Sequence, residues 1–263
     1  MARIRLICCF SFLVLAHTLS AQKDSVSMPY RVFEVKLHGG NHIYTGRTLE
    51  ELLENGYGAL ELRYGWQMSS NDEWAAAHKY PTWGVGWYSG YIGDPDVFGN
   101  PNALFGWINF PLTEALKRNQ FELGLGFGLT YNLIPYDETN NAINDAIGAR
   151  FAAYFNASIG GAYAVNREMD FTYGFDLTHF SNGRTFQPNY GLNMVGLNVG
   201  LRYHFNRNNK FNENRINPSK ILVVRPDVSN TRKAKKTGIH TIQFYQAIGT
   251  VQNREDAGTS RRY

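Results

Sequence analysis

The chain has 263 residues, two cysteines, a formal net charge of +4 and a mean hydropathy of −0.36. No segment holds the roughly 20 consecutive apolar residues of a membrane-spanning helix, so a helical membrane protein is excluded. Cys8 and Cys9 both lie near the start, which removes disulfide and thiol chemistry from everything that follows. Aromatic residues make up 14% of the chain and there are 26 glycines. That combination, without long apolar runs, fits an all-β chain folded as an antiparallel transmembrane β-barrel. The strands of such a barrel are apolar only at alternate positions, so the average stays polar. The sequence pI of about 9.0 hides an asymmetry: acids outnumber bases over 22–205, and bases dominate from 206 onward. No aromatic-and-basic constellation points to nucleic acid.

In chain order, residues 1–21 have the layout of a cleaved signal peptide: Arg3 and Arg5, an apolar run from Leu6 to Leu15, then Ser20-Ala21 ahead of Gln22. The cysteines sit inside that run and not at its end, which disfavours a lipoprotein. A barrel is expected over 22–206. A basic tail follows over 207–263, with Arg232, Lys233, Lys235 and Lys236 reading as a solvated cluster. Two apolar patches, 221–224 and 239–248, read as extra strands or a small periplasmic appendage, the alternative being a partly disordered tail.

Eight strand-like segments are predicted: 31–39, 57–67, 82–92, 103–111, 120–132, 149–165, 169–181 and 192–205. The fifth is the most informative. Phe121, Leu123, Leu125, Phe127, Leu129 and Tyr131 alternate with Glu122, Gly124, Gly126, Gly128 and Thr130. A soluble barrel would turn the aromatics inward and the glycines to water. A membrane barrel turns the large apolar face to lipid and the small face to a narrow interior, which is the simpler arrangement. The tight connection Asn166-Arg167-Glu168-Met169 belongs on the periplasmic side, so segment seven runs outward. Loops 39–56, 92–102 and 132–148 then lie outside. Loop 67–81 falls on the periplasmic side and is longer than expected there.

Segment seven carries Phe171, Tyr173, Phe175, Leu177, His179 and Ser181 on one face. Residues two apart on a strand share a face at about 7 Å. A base beside a hydroxyl is the minimal unit of nucleophilic catalysis. An arbitrary His-x-Ser pair at a strand end is ordinarily just interfacial. This one continues a lipid-facing stripe at the expected outer-leaflet end. Asn182 and Gly183 follow, where an amide side chain or a backbone N–H would stabilise an oxyanion.

The run His179-Phe180-Ser181-Asn182-Gly183, with Pro188-Asn189-Tyr190-Gly191-Leu192-Asn193 after it, resembles the signature of the outer-membrane lipid A 3-O-deacylase (PagL-type) family. The resemblance is strongest over those residues and extends as strand pattern over about 30–205. It implies an eight-stranded barrel with a Ser-His-acid triad on the outer wall. Ser181 is then the nucleophile, His179 the general base, Asn182 an oxyanion donor and Asn189 a second polar support. The family's acid falls on Asn193, a departure. An amide can orient the imidazole but cannot stabilise its charged form. Asp145 is a reserve carboxylate, whereas Asp176 points to the opposite face.

The implied reaction is ester hydrolysis that removes an acyl chain from lipid A of lipopolysaccharide, with no metal or organic cofactor. The implied partners are outer-leaflet lipid A and the membrane, with no nucleic acid; a homodimer is left open. Two other readings remain: a non-catalytic structural or lipid-binding barrel with a degenerate site, and a soluble ligand-binding barrel. His38, His42 and His78 read as loop or lumen residues. His204 and Arg202 read as a lumen network, and Trp83, Trp87, Tyr88 and Tyr91 as lipid-face aromatics. Asp94 and Asp96 read as an exposed turn.

Overall fold

A computed structural model of the chain describes residues 30–205, apart from 45, 47–48, 55, 69–72, 114–117 and 167. The expected signal segment and tail lie outside the described residues. Eight strands follow one another: β1 Tyr30–His42, β2 Tyr57–Gln67, β3 Thr82–Tyr91, β4 Gly99–Pro111, β5 Asn119–Leu133, β6 Ala152–Ala164, β7 Met169–Ser181 and β8 Leu192–Phe205. Each pairs antiparallel with its neighbours, and β1 pairs with β8 to close the barrel. Among the described residues, three short helices sit in the loops: α1 Glu50–Leu53, α2 Glu73–Ala77 and α3 Pro95–Phe98.

The strand segments predicted from alternation agree with these bounds except at some ends. β1 runs on to His42, β4 starts earlier at Gly99, and β6 starts later, at Ala152. Loop 67–81 is long because it holds α2, where Trp74 and His78 stack at 4.2 Å and both rings approach Phe110.

Alternation decides what the barrel encloses. Phe127 and Leu197 on the outer face are 66% and 67% exposed, while Glu61 and Asp176 inside are fully buried. A soluble ligand-binding barrel is thereby excluded, because the apolar face points out. The interior is a chain of paired charges. Arg63 pairs with Glu61 and lies over Phe105 and Trp107. Its Nη1 also donates to Asn109 (3.3 Å). Arg202 donates to both Glu122 oxygens (2.9 and 2.8 Å) and faces Glu34 at 3.4 Å. His38 bridges Asp176 and Glu61, Tyr57 donates to Asp176 (3.3 Å), and His204 meets Asp170 at 2.6 Å. Burying charge is tolerable only when it is paired in this way.

Above this network, Phe105 and Phe180 pack on Tyr154, and Phe180 also packs on Tyr88. Tyr88 therefore belongs to the interior, not to the lipid face expected for it. The glycine pattern leaves room for such rings: a Cβ on Gly86 would stand 2.3 Å from the Phe105 ring. Leu49, Leu53, Ile92, Phe98, Ile147, Leu192 and Met194 are buried with these rings in one apolar cluster, which caps the β7–β8 end of the barrel. Asp94 caps α3 by accepting from the Asp96 amide (2.8 Å), so the Asp94-Asp96 pair is a helix start.

Two substitutions test this sidedness. Leu125→Arg, on the outer face near mid-strand, should lose about 2–4 kcal/mol of folding free energy in lipid vesicles. Arg202→Met, which takes the guanidinium from Glu122 and leaves Glu34 with Lys36 alone, should lose about 3–5 kcal/mol. Denaturant unfolding in vesicles measures both, and a neutral Leu125→Arg contradicts a lipid-facing wall.

Candidate active site

The inward packing of Phe180 fixes the tip of β7. With Phe180 fully buried on Tyr88 and Tyr154, its neighbours His179 and Ser181 must face outward, in line with the exposed Phe175 and Leu177. Both are half-buried. Ser181 opposes Ala153 on β6, and His179 opposes Phe155. The residue beside the serine across the ladder is thus a small one.

On the other side, His179 opposes Asn193 of β8. Its Nδ1 meets Asn193 Oδ1 at 2.7 Å. An amide oxygen only accepts, so this contact requires the proton on Nδ1 and leaves the lone pair on Nε2. Gly191 covers the ring. It has φ +76, and a Cβ there would stand 3.0 Å from His179 Cε1. A side chain would be strained and would press on the imidazole.

The loop after β7 brings the donors. Ser181 Oγ accepts from Asn189 Nδ2 (3.0 Å) and from the Gly183 backbone N–H (3.2 Å). No hydrogen bond joins the serine hydroxyl to the His179 ring; catalytic contacts of this kind often tighten only when substrate is bound. Asn189 is itself held, since its Oδ1 accepts from the Asn182 backbone N–H (3.2 Å).

Asn182 differs from the role expected for its side chain. Its Nδ2 donates to the Phe186 carbonyl (3.1 Å), and its Oδ1 accepts from the Arg184 N–H (3.1 Å). It is 8% exposed and shapes the loop. The donors aimed at Ser181 are those of Asn189 and Gly183. Nothing periodic distinguishes Asn182 from Asn189 in the sequence, because side-chain direction in an irregular loop has no repeat to read.

The loop 182–191 rests on the loop 134–151. The Tyr190 and Gly191 amides donate to the carbonyls of Asp145 (3.2 Å) and Ala146 (2.9 Å). Asn144 folds that second loop by bonding the Val97 and Ile134 carbonyls and the Ala146 and Ile147 amides. The reserve carboxylate Asp145 is engaged by the Tyr44 hydroxyl at 2.5 Å. Asp176 is buried inside the barrel with His38 and Tyr57. Of the scattered histidines, His38 lies in the lumen, His42 bonds the Gly56 carbonyl (3.3 Å) and His78 stacks on Trp74.

The site thus gathers an outward hydroxyl, an imidazole oriented by an amide, and two N–H donors beside the hydroxyl. That set can carry out acyl transfer.

No curated protein matches the chain. Among solved structures it is similar to Neisserial surface protein A, with a TM-score of 0.44 and 10% identity, covering 66% of this chain and 96% of that one. It is also similar to the N-terminal β-barrel domain of Pseudomonas aeruginosa OprF, with a TM-score of 0.40 and 9% identity, covering 66% and 97%. The sequence profile of the family described as Lipid A 3-O-deacylase (PagL) matches residues 58–202, more than half of the chain. The chain belongs to the lipid A 3-O-deacylase family.

Proposed function

We propose that this protein is an outer-membrane serine esterase that removes an ester-linked acyl chain from lipid A in the outer leaflet. The observation that carries the reading is the common outward face of His179 and Ser181 at one strand tip, with Asn193 on the far side of the imidazole. An acyl chain of a bilayer lipid can lie along the apolar wall of β6 and β7 while its ester reaches the strand ends, where acyl region meets headgroup. Family membership supports the same reaction class.

In the proposed reaction, Ser181 Oγ attacks the ester carbonyl and its proton passes to His179 Nε2. The new Oγ–C bond produces a tetrahedral oxyanion, for which Asn189 Nδ2 and the Gly183 N–H are the nearest donors. As the ester C–O bond breaks, the proton on Nε2 returns to the departing sugar hydroxyl. Water, deprotonated by the same nitrogen, then hydrolyses the acyl-serine and releases the fatty acid. Asn193 keeps the imidazole in the right tautomer throughout but supplies no charge to the imidazolium. Relative to a Ser-His-acid triad, what the site lacks is therefore the carboxylate charge and not the orientation of the ring.

That same amide favours one competing reading, a barrel that keeps the outline of the site and binds lipid without cleaving it. Mass spectrometry of lipid A incubated with the purified protein separates the two. The esterase releases one acyl chain in wild type and none with Ser181→Ala; identical spectra favour the inert barrel. Asn193→Asp keeps the side-chain length and adds charge, so kcat should rise by about tenfold or more. An unchanged or lower kcat would show that charge at this position does not limit the reaction. Ala153→Phe fills the space beside Ser181 and should lower kcat/KM at least about tenfold while the barrel still folds, as heat-modifiable migration reports.

A further inference from the structure

Among the described residues, the arginine and lysine side chains have partners with two exceptions. Inside the barrel, Lys36, Arg63 and Arg202 face Glu34, Glu61 and Glu122. At the end away from the site, Arg31 lies over the Phe205 ring, Arg118 lies over Tyr163 and donates to the Ala164 carbonyl, and Lys79 donates to the Leu112 carbonyl. Arg150 and Arg184 are exposed, and their guanidinium groups meet no described residue in a hydrogen bond, ion pair or ring contact.

Both flank the nucleophile. Ser181 faces Ala153 across the β6–β7 ladder. Arg150 lies three residues before Ala153 and Arg184 three residues after Ser181, so both leave the barrel above the same rung. The two stems are packed together there: a Cβ on Gly148 would stand 2.7 Å from the Pro188 carbonyl oxygen and 2.9 Å from that of Phe186. Asn182 Oδ1 holds the Arg184 amide and fixes where that side chain departs. Arg150 also lines an open cleft with Asn100, Asn132, Leu133, Ile134 and Pro135, at the ends of β5 and β4, two and three strands round the barrel from Ser181. The nearby carboxylate of Asp145 already holds Tyr44.

We propose that Arg150 and Arg184 form a two-pronged anion clamp that seats a phosphate monoester on the head group of the lipid whose ester Ser181 cleaves. This rests on the esterase reading of the site. The guanidinium fork matches phosphate oxygens bidentately, which a lysine does not. The height is also appropriate. The ester to be cut lies at the strand tips, and a charged head group lies above it, where these two cations are. The cleft beside Arg150, whose walls include Asn100, Asn132, Pro95 and Ile134, suits a sugar ring carrying that phosphate.

The test uses the full chain in detergent micelles and two probes, phosphorylated lipid A and the same lipid A after phosphatase treatment. Native mass spectrometry of the Ser181→Ala protein reads binding without turnover, and kcat/KM of the catalytically intact protein reads selection. The expected result is a preference of at least about tenfold for the phosphorylated probe, in binding and in kcat/KM. Arg150→Gln with Arg184→Gln should bring both ratios close to one, and lysine at both positions should restore part of the preference. An unchanged ratio in a double glutamine variant that still shows heat-modifiable migration overturns the clamp. So does displacement of the lipid by inorganic phosphate at equal concentration, which would mark a general anion site. Arginine-dependent binding with no acyl release would refute the esterase reading and leave the clamp standing. Acyl release without preference would do the reverse.

Discussion

An eight-stranded barrel takes every second residue of each strand into an interior too narrow for water to solvate charge freely, and here the charged ones among those residues are mutually paired. Glu34, Glu61, Asp176 and Arg202 all lie within that interior, each against an opposite charge or a hydrogen-bond donor. A slip of one residue in any strand would turn such groups to the outer wall and bring leucines and phenylalanines inside. The paired charges therefore fix the register of the whole barrel. They also fix which way His179 and Ser181 face at the tip of β7.

The site inherits its geometry from that constraint. Phe180 is held inside by Tyr88 and Tyr154, so His179 and Ser181 are placed outside by alternation alone. Antiparallel pairing then sets Asn193 directly against His179. The loop that follows is less regular and is held by amides: Asn182 shapes it, Asn189 reaches back to the serine, and Asn144 steadies the loop beneath. A site built this way supplies orientation in abundance and charge sparingly.

Most of the barrel was readable from the chain because strands buried on one face carry a period of two. The run from Phe121 to Tyr131 shows it without interruption. The period holds even at Tyr88, which was grouped with the lipid-face aromatics by its residue type: alternation puts it on the inward face with Gly84, Gly86 and Gly90, opposite Trp83, Val85 and Trp87. The helix within 68–81 was hidden for a different reason, since so short a turn of helix has no repeat. At the site, the shared outward face of His179 and Ser181 was legible from their spacing, whereas Asn193 was named only through the family resemblance. The distinct roles of Asn182 and Asn189 were not, because both lie in an aperiodic loop. Arg150 and Arg184 carried no signal at all: their relation exists only through the rung that joins Ala153 to Ser181.

The central claim is that an activated serine opens to the bilayer from the barrel's outer wall. A lipid-tailed fluorophosphonate, presented in vesicles and followed by peptide mass spectrometry, tests it directly. The account predicts a single adduct on Ser181, lost in His179→Gln and slow with a tail-less, water-soluble analogue. An adduct absent from Ser181, or formed equally well by the water-soluble analogue, would contradict it.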